Sequence, residues 1–438
     1  MAPARSTTVR DLRRGNRATV LWELFLDGHL SRQQLTARTA LSAGTVTNVT
    51  SDLLSEGVLI DVGSEDSEGG RPRGVLGINP GYASVIGVDL AERMVLVEIF
   101  DMAMTVLASH TSRLSSADLD ATEVAQHILD GMRIVIEASG VQPKQVLGVG
   151  VGVPGLVEHG PDDLVHGQSV GWRGVPLGRM LRAETQIPVL VENGANTRGQ
   201  GEMWFGAGRG ADNVIVALIG TGVGASITAD GSLYRGATSS AGEWGHITSE
   251  LGGRLCRCGA LGCLEAYVGA GFFASRYAEL AGADALIDGS PIDAAAAGGN
   301  ANGNAGENAD ADATEEMRVE AIVALAGTDP MAARVLDEWI VRLGAGLADL
   351  VNLFNPERII IGGWLGRLLA SAHLDRIRAA TADRALELPF SHTVILAADL
   401  GSDAGALGAA TLPIARLFAT GGIPAAKKRT PALPSRRP

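Results

Sequence analysis

The 438-residue chain is short of cysteine, of uninterrupted apolar sequence and of positive charge. No stretch reaches the roughly 20 apolar residues that a membrane-spanning helix requires. The opening Met1-Ala-Pro-Ala-Arg-Ser-Thr-Thr8 lacks the apolar core of a signal peptide. A formal net charge of −13 argues against a surface that binds nucleic acid throughout. It leaves room for a small DNA-reading module with charge of its own. The only three cysteines, Cys256, Cys258 and Cys263, share one loop, which fits a reducing compartment. A cytoplasmic protein with no membrane partner is the expectation. What remains is a normal globular composition, 46% hydrophobic, in a chain long enough for two or three domains.

The chemistry is concentrated in one stretch. Ala241-Gly-Glu-Trp-Gly-His246 is followed by Cys256-Arg-Cys258-Gly-Ala-Leu-Gly-Cys263-Leu-Glu265. One histidine and three thiolates are a four-ligand set of the kind a structural Zn²⁺ takes. Gly259 and Gly262 let the loop turn between ligands. Glu243 and Glu265 flank the set. A metal has no need of them, so they point to a polar ligand next door. The competing reading, three spare thiols in a glycine-rich loop, leaves their clustering beside a histidine unexplained.

The first eighty residues read as helices. Leu12, Val20, Leu21, Leu24 and Phe25 keep helical spacing up to Gly28, and Ser31 with Gln34 forms a capping box for a second, short helix. A third segment, Ser42–Gly57, places Val46, Val49, Leu53 and Leu54 on one face and Thr45, Thr47, Asn48 and Ser51 on another. Three short helices with a tight turn before the last make the helix-turn-helix pattern. Val58-Leu-Ile60 then opens a β-ribbon wing with a polar tip at Gly63–Gly70 and a return near Val75–Ile78. Residues 1–55 hold seven arginines against four acids, and Arg71 and Arg73 add charge on the wing. The candidate DNA contacts are Ser42, Thr45, Thr47, Asn48, Arg71 and Arg73. A helical dimerisation domain with a solvated polar face is the other reading of this pattern.

Beyond Asn79-Pro-Gly81 the pattern changes. Strands are expected at Ser84–Leu90, Met94–Phe100 and Met104–His110, then a helix at Ala121–Ser139 and strands at Val146–Val153 and Ile187–Glu192. The theme repeats with strands at Asn213–Ile219, Val223–Ala229, Arg358–Gly363 and Val394–Ala397 and a helix near Asp403–Phe418. Two α/β halves that each open with a β-meander suggest the actin-like ATPase fold. The expected organisation is a winged helix-turn-helix domain over 1–80 and a two-lobed α/β domain over 81–420. A disordered insertion is expected at about 291–315, where Ala, Gly, Asn and Asp dominate, and a disordered tail over 421–438.

The Gly-Glu-x-Gly-His block with Cys-x-Cys-Gly-x-x-Gly-Cys-x-Glu resembles the signature of the ROK family, which holds sugar kinases and sugar-responsive transcriptional repressors. The resemblance implies that His246, Cys256, Cys258 and Cys263 bind zinc and that Glu243, His246 and Glu265 face a sugar. Imidazole can serve both, one nitrogen on the metal and the other toward a hydroxyl. Gly152-Val-Pro-Gly155 resembles the family's sugar-side loop, and Asn193 its sugar-binding asparagine. Leu41-Ser42, Thr45-Val-Thr47 and Gly70-Arg-Pro-Arg73 look like the winged-helix part of the family's repressors, although Asn48 stands where many members carry arginine.

The phosphate side departs from the family's kinases. Their first phosphate loop reads Asp-x-Gly-Gly-Thr, and the matching stretch here is Asp89-Leu-Ala-Glu-Arg93. Ala91 and Glu92 obstruct backbone approach, and Glu92 brings negative charge that Arg93 would offset in part. The kinases' base is the Asp of Glu-Asn-Asp-Ala-Asn, and here that run is Glu192-Asn193-Gly194-Ala195-Asn196. Losing a general base costs about 10²–10⁴ in rate. Gly220-Thr-Gly-Val-Gly224 looks like the second phosphate loop and Ile361-Gly-Gly363 like the adenosine region. The expectation is therefore a non-enzymatic regulator. It would bind operator DNA and a sugar or sugar phosphate, carry a structural zinc, and act as a homodimer or homotetramer. The alternatives are an active ATP-dependent sugar kinase with a DNA-binding extension, and a zinc-stabilised scaffold that binds no sugar.

Overall fold

The computed structural model describes residues 8–65, 73–114, 120–281, 286–287, 290–291, 311–401 and 403–422. The chain opens with α1 (Val9–Asp27), β1 (Leu30–Ser31), α2 (Arg32–Thr39) and α3 (Ala43–Ser55), then β2 (Leu59–Glu65) and β3 (Arg73–Ile78). Local sequence sets these boundaries. Thr8 and Asp11 form a reciprocal capping box at the start of α1, and Ser31 with Gln34 does the same for α2. Ser42 caps α3, its Oγ accepting from the Thr45 N–H at 3.1 Å. Val46, Val49 and Leu53 of α3 are buried with Val20, Leu21, Leu24 and Leu35, whereas Leu54 is only half-buried. The three strands pair antiparallel in the order β1-β3-β2. Arg71 and most of the polar tip lie outside the described residues, and Arg73 opens β3.

The first lobe holds β4 (Ser84–Leu90), β5 (Met94–Asp101), β6 (Val106–Arg113), α4 (Ala121–Ser139), β7 (Val146–Val153), the small strands β8 (Leu156–Glu158), β9 (Leu164–Gly167) and β10 (Trp172–Val175), α5 (Leu177–Glu184), β11 (Val189–Asn193) and α6 (Gly194–Phe205). Its main sheet runs β11-β7-β4-β5-β6. The second lobe contributes β12 (Val214–Ile219), β13 (Val223–Ala229), β14 (Ser232–Leu233), α7 (Glu265–Val268), α8 (Ala270–Ala281), β15 (Leu286–Ile287), β16 (Ser290–Pro291), α9 (Ala311–Leu325), α10 (Pro330–Phe354), β17 (Arg358–Gly362), α11 (Trp364–Ala382), α12 (Glu387–His392) and β18 (Val394–Ala397). Its sheet, β14-β13-β12-β17-β18, repeats the same spatial order. In both, an antiparallel meander is extended by two parallel strands. The last helix, α13 (Ala404–Ala419), returns to the first lobe. It packs so closely there that a Cβ at Gly87 or Gly150 would sit 1.9 or 1.8 Å from a helix carbonyl oxygen.

Several sequence expectations need correction. The third strand starts at Val106, not Met104. The Asp101 carboxylate accepts from the N–H groups of Ala103 and Thr105 at 2.8 and 2.9 Å, and Met104 turns through a φ of +61°. β11 begins after Pro188, which has no N–H to pair. Ala311–Glu315, assigned to the insertion, opens α9, and Ser290–Pro291 forms a strand. The rest of that insertion lies outside the described residues. Gly421 and Gly422, assigned to the tail, are buried. The Gly421 carbonyl accepts from Nε of Arg17, itself 3% exposed, and Gly422 packs on Leu21.

That burial reflects a core that crosses the domain boundary. Trp22 and Phe25 of α1 meet Trp204 and Phe205 at the end of α6 and Phe418 of α13 edge-on, with ring centroids 4.8–6.0 Å apart. Leu417, Ile414 and Ala410 of α13 join the same cluster as Val20 and Leu21. One end of α6 therefore carries the first domain, and the other starts at Asn193 and Gly194.

Candidate metal centre and ligand cleft

The four proposed metal ligands converge. His246, Cys256, Cys258 and Cys263 each offer an atom within 4.8 Å of the others. Cys256 Sγ lies 3.8 Å from His246 Nδ1, and Cys258 Sγ 3.7 Å from Cys263 Sγ. A tetrahedral zinc with its usual bond lengths has S···S edges of about 3.8 Å and S···N edges of about 3.6 Å. The donor set therefore fits the ion. The loop is folded by its own backbone: Cys256 N–H donates to Ala260 and Gly259 N–H to Cys256. Gly262 has a φ of +81°, and a Cβ there would strike the Glu250 carbonyl at 1.7 Å. Burial pushes the Cys256 and Cys263 thiols up, so a cluster of thiolates here needs a cation beside it.

The cleft side of the centre carries the carboxylates. His246 presents Nε2 to Glu243 at 3.7 Å while Nδ1 faces Cys256 Sγ at 3.8 Å. Burial raises the Glu243 carboxyl against the pull of His246, and the charge of Glu265 adds to the rise. Glu265 is more enclosed than a ligand contact alone would need, its side chain 9% exposed. Its Oε2 accepts from Val223 N–H at 3.0 Å, and its Oε1 lies 3.4 Å from Cys256 Sγ. Asn193 caps α6, its Oδ1 accepting from Ala195 N–H at 2.8 Å. Ala195 and the Gly242 carbonyl both approach within 4 Å of where a Cβ on Gly224 would stand. This brings the starts of α6 and of the Glu243 turn to one place. Gly155 turns with a φ of +94° against the His166 carbonyl.

Glu192, beside Asn193, is committed elsewhere. Arg235 of the second lobe donates to it through Nε at 2.9 Å, Asn196 donates at 3.1 Å, and His159 Nε2 stands 3.6 Å away. Burial alone would raise its carboxyl, but His159, Arg235 and Asn196 bring it down to about 2. Asp163 and Glu192 in turn push His159 up to about 9.

The phosphate side is occupied by side chains. Asp89, 4% exposed, receives Arg198 Nη2 on Oδ2 at 2.6 Å, and its Oδ1 is buried without a protein partner. Burial raises this carboxyl against the pull of Arg198. Gly194 offers no side chain, and a Cβ there would lie 3.1 Å from Arg198 Nη1. Glu92 pairs across the cleft with Arg257 at 3.2 Å, so its charge is met from the metal loop.

A family model described as ROK family matches residues 85–416. The chain belongs to the ROK family. The xylose repressor of Caldicellulosiruptor bescii is 28% identical over 408 residues, which is 93% of this chain and 97% of that protein. The glucokinase of Streptomyces coelicolor is 31% identical over 331 residues, covering 75% of this chain and 96% of the enzyme. Among solved structures, a Streptomyces griseus ROK family glucokinase in complex with glucose and AMPPNP has a TM-score of 0.59 at 30% identity, covering 75% of this chain and 99% of that one. A ROK family transcriptional regulator, homologous to the E. coli MLC protein, has a TM-score of 0.73 over 94% of this chain and 98% of its own, and at 24% identity speaks for the fold alone. The two lobes are accordingly the actin-like ATPase fold of this family.

Outside the family region, α3 turns Thr47 and Asn48 to solvent, with Thr45 half-buried. The Ser42 hydroxyl is engaged in its cap and stands 2.9 Å from Thr45 Oγ1. Sequence reasoning missed Arg198, Arg235 and Arg257, arginines that reach the cleft carboxylates, and His159 beside Glu192. The available signal was Arg257, a lone cation between two of the candidate metal-binding cysteines. No helix among the described residues is long and apolar enough to cross a membrane.

Proposed function

We propose that this chain is a sugar-responsive transcriptional repressor. The first domain, read as a winged helix-turn-helix, carries the DNA contacts Ser42, Thr45, Thr47, Asn48, Arg71 and Arg73. A sugar or sugar phosphate lies against Gly155, Asn193, Glu243, His246 and Glu265. His246, Cys256, Cys258 and Cys263 hold a structural zinc, which fixes the loop that carries Glu265. The observation that carries this reading is Gly194. The family's sugar side persists around a position where no side chain can take a proton from a sugar hydroxyl. The relatives named as xylose repressors support it, since they align over the first domain as well as the lobes.

Sugar acts by binding one arrangement of the lobes better than another. The route to DNA is short, because α6 runs from Asn193 to the aromatic joint beneath α1. A two-fold pair of chains, alone or within a tetramer, would read a palindromic operator. The test is operator binding by the zinc-loaded protein with D-xylose, D-glucose and their phosphates. Specific DNA binding that one of these sugars changes supports the reading. ADP release from ATP with any of them would instead favour a sugar kinase with a DNA-binding extension.

A further inference from the structure

Four segments distant in sequence meet where a nucleotide's phosphates would enter. From the first lobe, Glu92 stands in the turn between β4 and β5, the first phosphate-loop position. From the second, Arg257 projects from between two metal-ligating cysteines, and its Nη1 donates to Glu92 Oε1 at 3.2 Å. Arg257 Nε lies 3.8 Å from Glu265 Oε1. A Cβ at Gly222, in the second glycine loop, would lie 3.4 Å from Arg257 Nη2 and 3.7 Å from Glu265 Oε2. Thr221 of the same loop donates to Glu315 of α9 at 3.4 Å. The guanidinium therefore lies over the glycine loop of the second lobe while pairing with Glu92, in the turn that matches the family's first phosphate loop. A polyphosphate entering here would meet Glu92, Glu265 and Glu315 around a cation already in use.

We propose that Arg257 is a built-in occupant of the polyphosphate position and bridges the lobes as a nucleotide would. It is a positioning residue: it holds Glu265 toward the cleft and ties the metal loop to the first lobe through Glu92. The lobes are thereby set at their working separation without ATP, and sugar alone changes it.

The test uses the full-length, zinc-loaded chain with no sugar or DNA. Failure would thus leave the regulator reading untouched. Hydrogen–deuterium exchange is compared at residues 89–94 and 220–224 in wild type, Glu92→Gln, Arg257→Ala and the swap Glu92→Arg with Arg257→Glu. Each single variant should exchange about two- to fivefold faster at both loops, the factor expected of one partly exposed ion pair. The swap should restore protection at residues 89–94, which a merely structural role would not do, but not at 220–224, where the carboxylate placed at 257 faces Glu265. Inorganic tripolyphosphate gives the second readout. It should not bind wild type, and should bind Glu92→Gly, which releases Arg257 from Glu92, at least about tenfold more tightly than Arg257→Ala. Equal exchange in wild type and Glu92→Gln, no rescue at residues 89–94 by the swap, or equal tripolyphosphate binding by wild type and Glu92→Gly would overturn the proposal. Glu92→Gln and Glu92→Gly lie outside the metal loop and keep the test decisive if Arg257→Ala fails to load zinc.

Discussion

Restoring a carboxylate at position 194 should not restore a kinase. Gly194→Asp places a Cβ 3.1 Å from Arg198 Nη1 and 3.2 Å from the Val153 carbonyl, so both must give by a few tenths of an ångström. The position is the first of α6, where a negative charge gains about 0.3–1 kcal/mol from the helix dipole. An ion pair with the part-exposed Arg198 adds about 0.2–1 kcal/mol. These gains offset the squeeze, and stability should change by less than about 1 kcal/mol. The same two influences lower the new carboxyl's pKa and weaken it as a base. On the proposed reading the Glu92–Arg257 pair still blocks the phosphate side. In a coupled ADP-release assay with D-glucose and D-xylose, turnover should stay at least about a hundredfold below the 1–100 s⁻¹ of typical kinases. Adding Ala91→Gly and Glu92→Gly should give the first measurable ADP release. Turnover in the kinase range from Gly194→Asp alone would mean that Glu92 and Arg257 are no obstacle to phosphate.

Zinc analysis should find about one ion per chain. Chelation or Cys263→Ser should remove it and lower the melting temperature, and an unchanged melting curve would exclude a structural role. Replacing Asn48 or Thr47 by Ala should weaken operator binding by about 1–3 kcal/mol while leaving sugar affinity unchanged, as titration calorimetry would show. His159 predicts a pH dependence. Its folded value of about 9 exceeds the ordinary 6.5, so its contribution is complete below pH 6.5 and is lost as pH rises through 9. His159→Gln should flatten the stability curve across that window in urea titrations. A wild-type curve already flat between pH 6.5 and 9 would contradict the pairing with Asp163 and Glu192.

Much of the architecture was legible because its causes are local. Periodic apolar residues mark α4, which the structure shows capped by Asp120 and stopped at Gly140. The Ser31–Gln34 capping box, the apolar strand β7 and the clustered cysteines were readable for the same reason. The misses are long-range. Glu92 pairs with Arg257 across 165 residues, and Arg17 binds Gly421 across 404. Nothing near Gly421 announces a buried arginine, so a Pro- and Lys-bearing segment read as tail from its first residue. Met104 was misplaced because a single carboxylate, Asp101, reorganised the turn before it. In the cleft, composition pointed to the carboxylates, while the arginines that hold them come from other elements.

Whether sugar governs DNA binding by this chain can be read from sheared genomic DNA captured on the zinc-loaded protein with and without a pool of sugars. Discrete palindromic sites should be enriched, and that enrichment should change when the sugars are added. Discrete sites that no sugar moves would contradict the sensor, and no enrichment under either condition would contradict the DNA-binding domain itself.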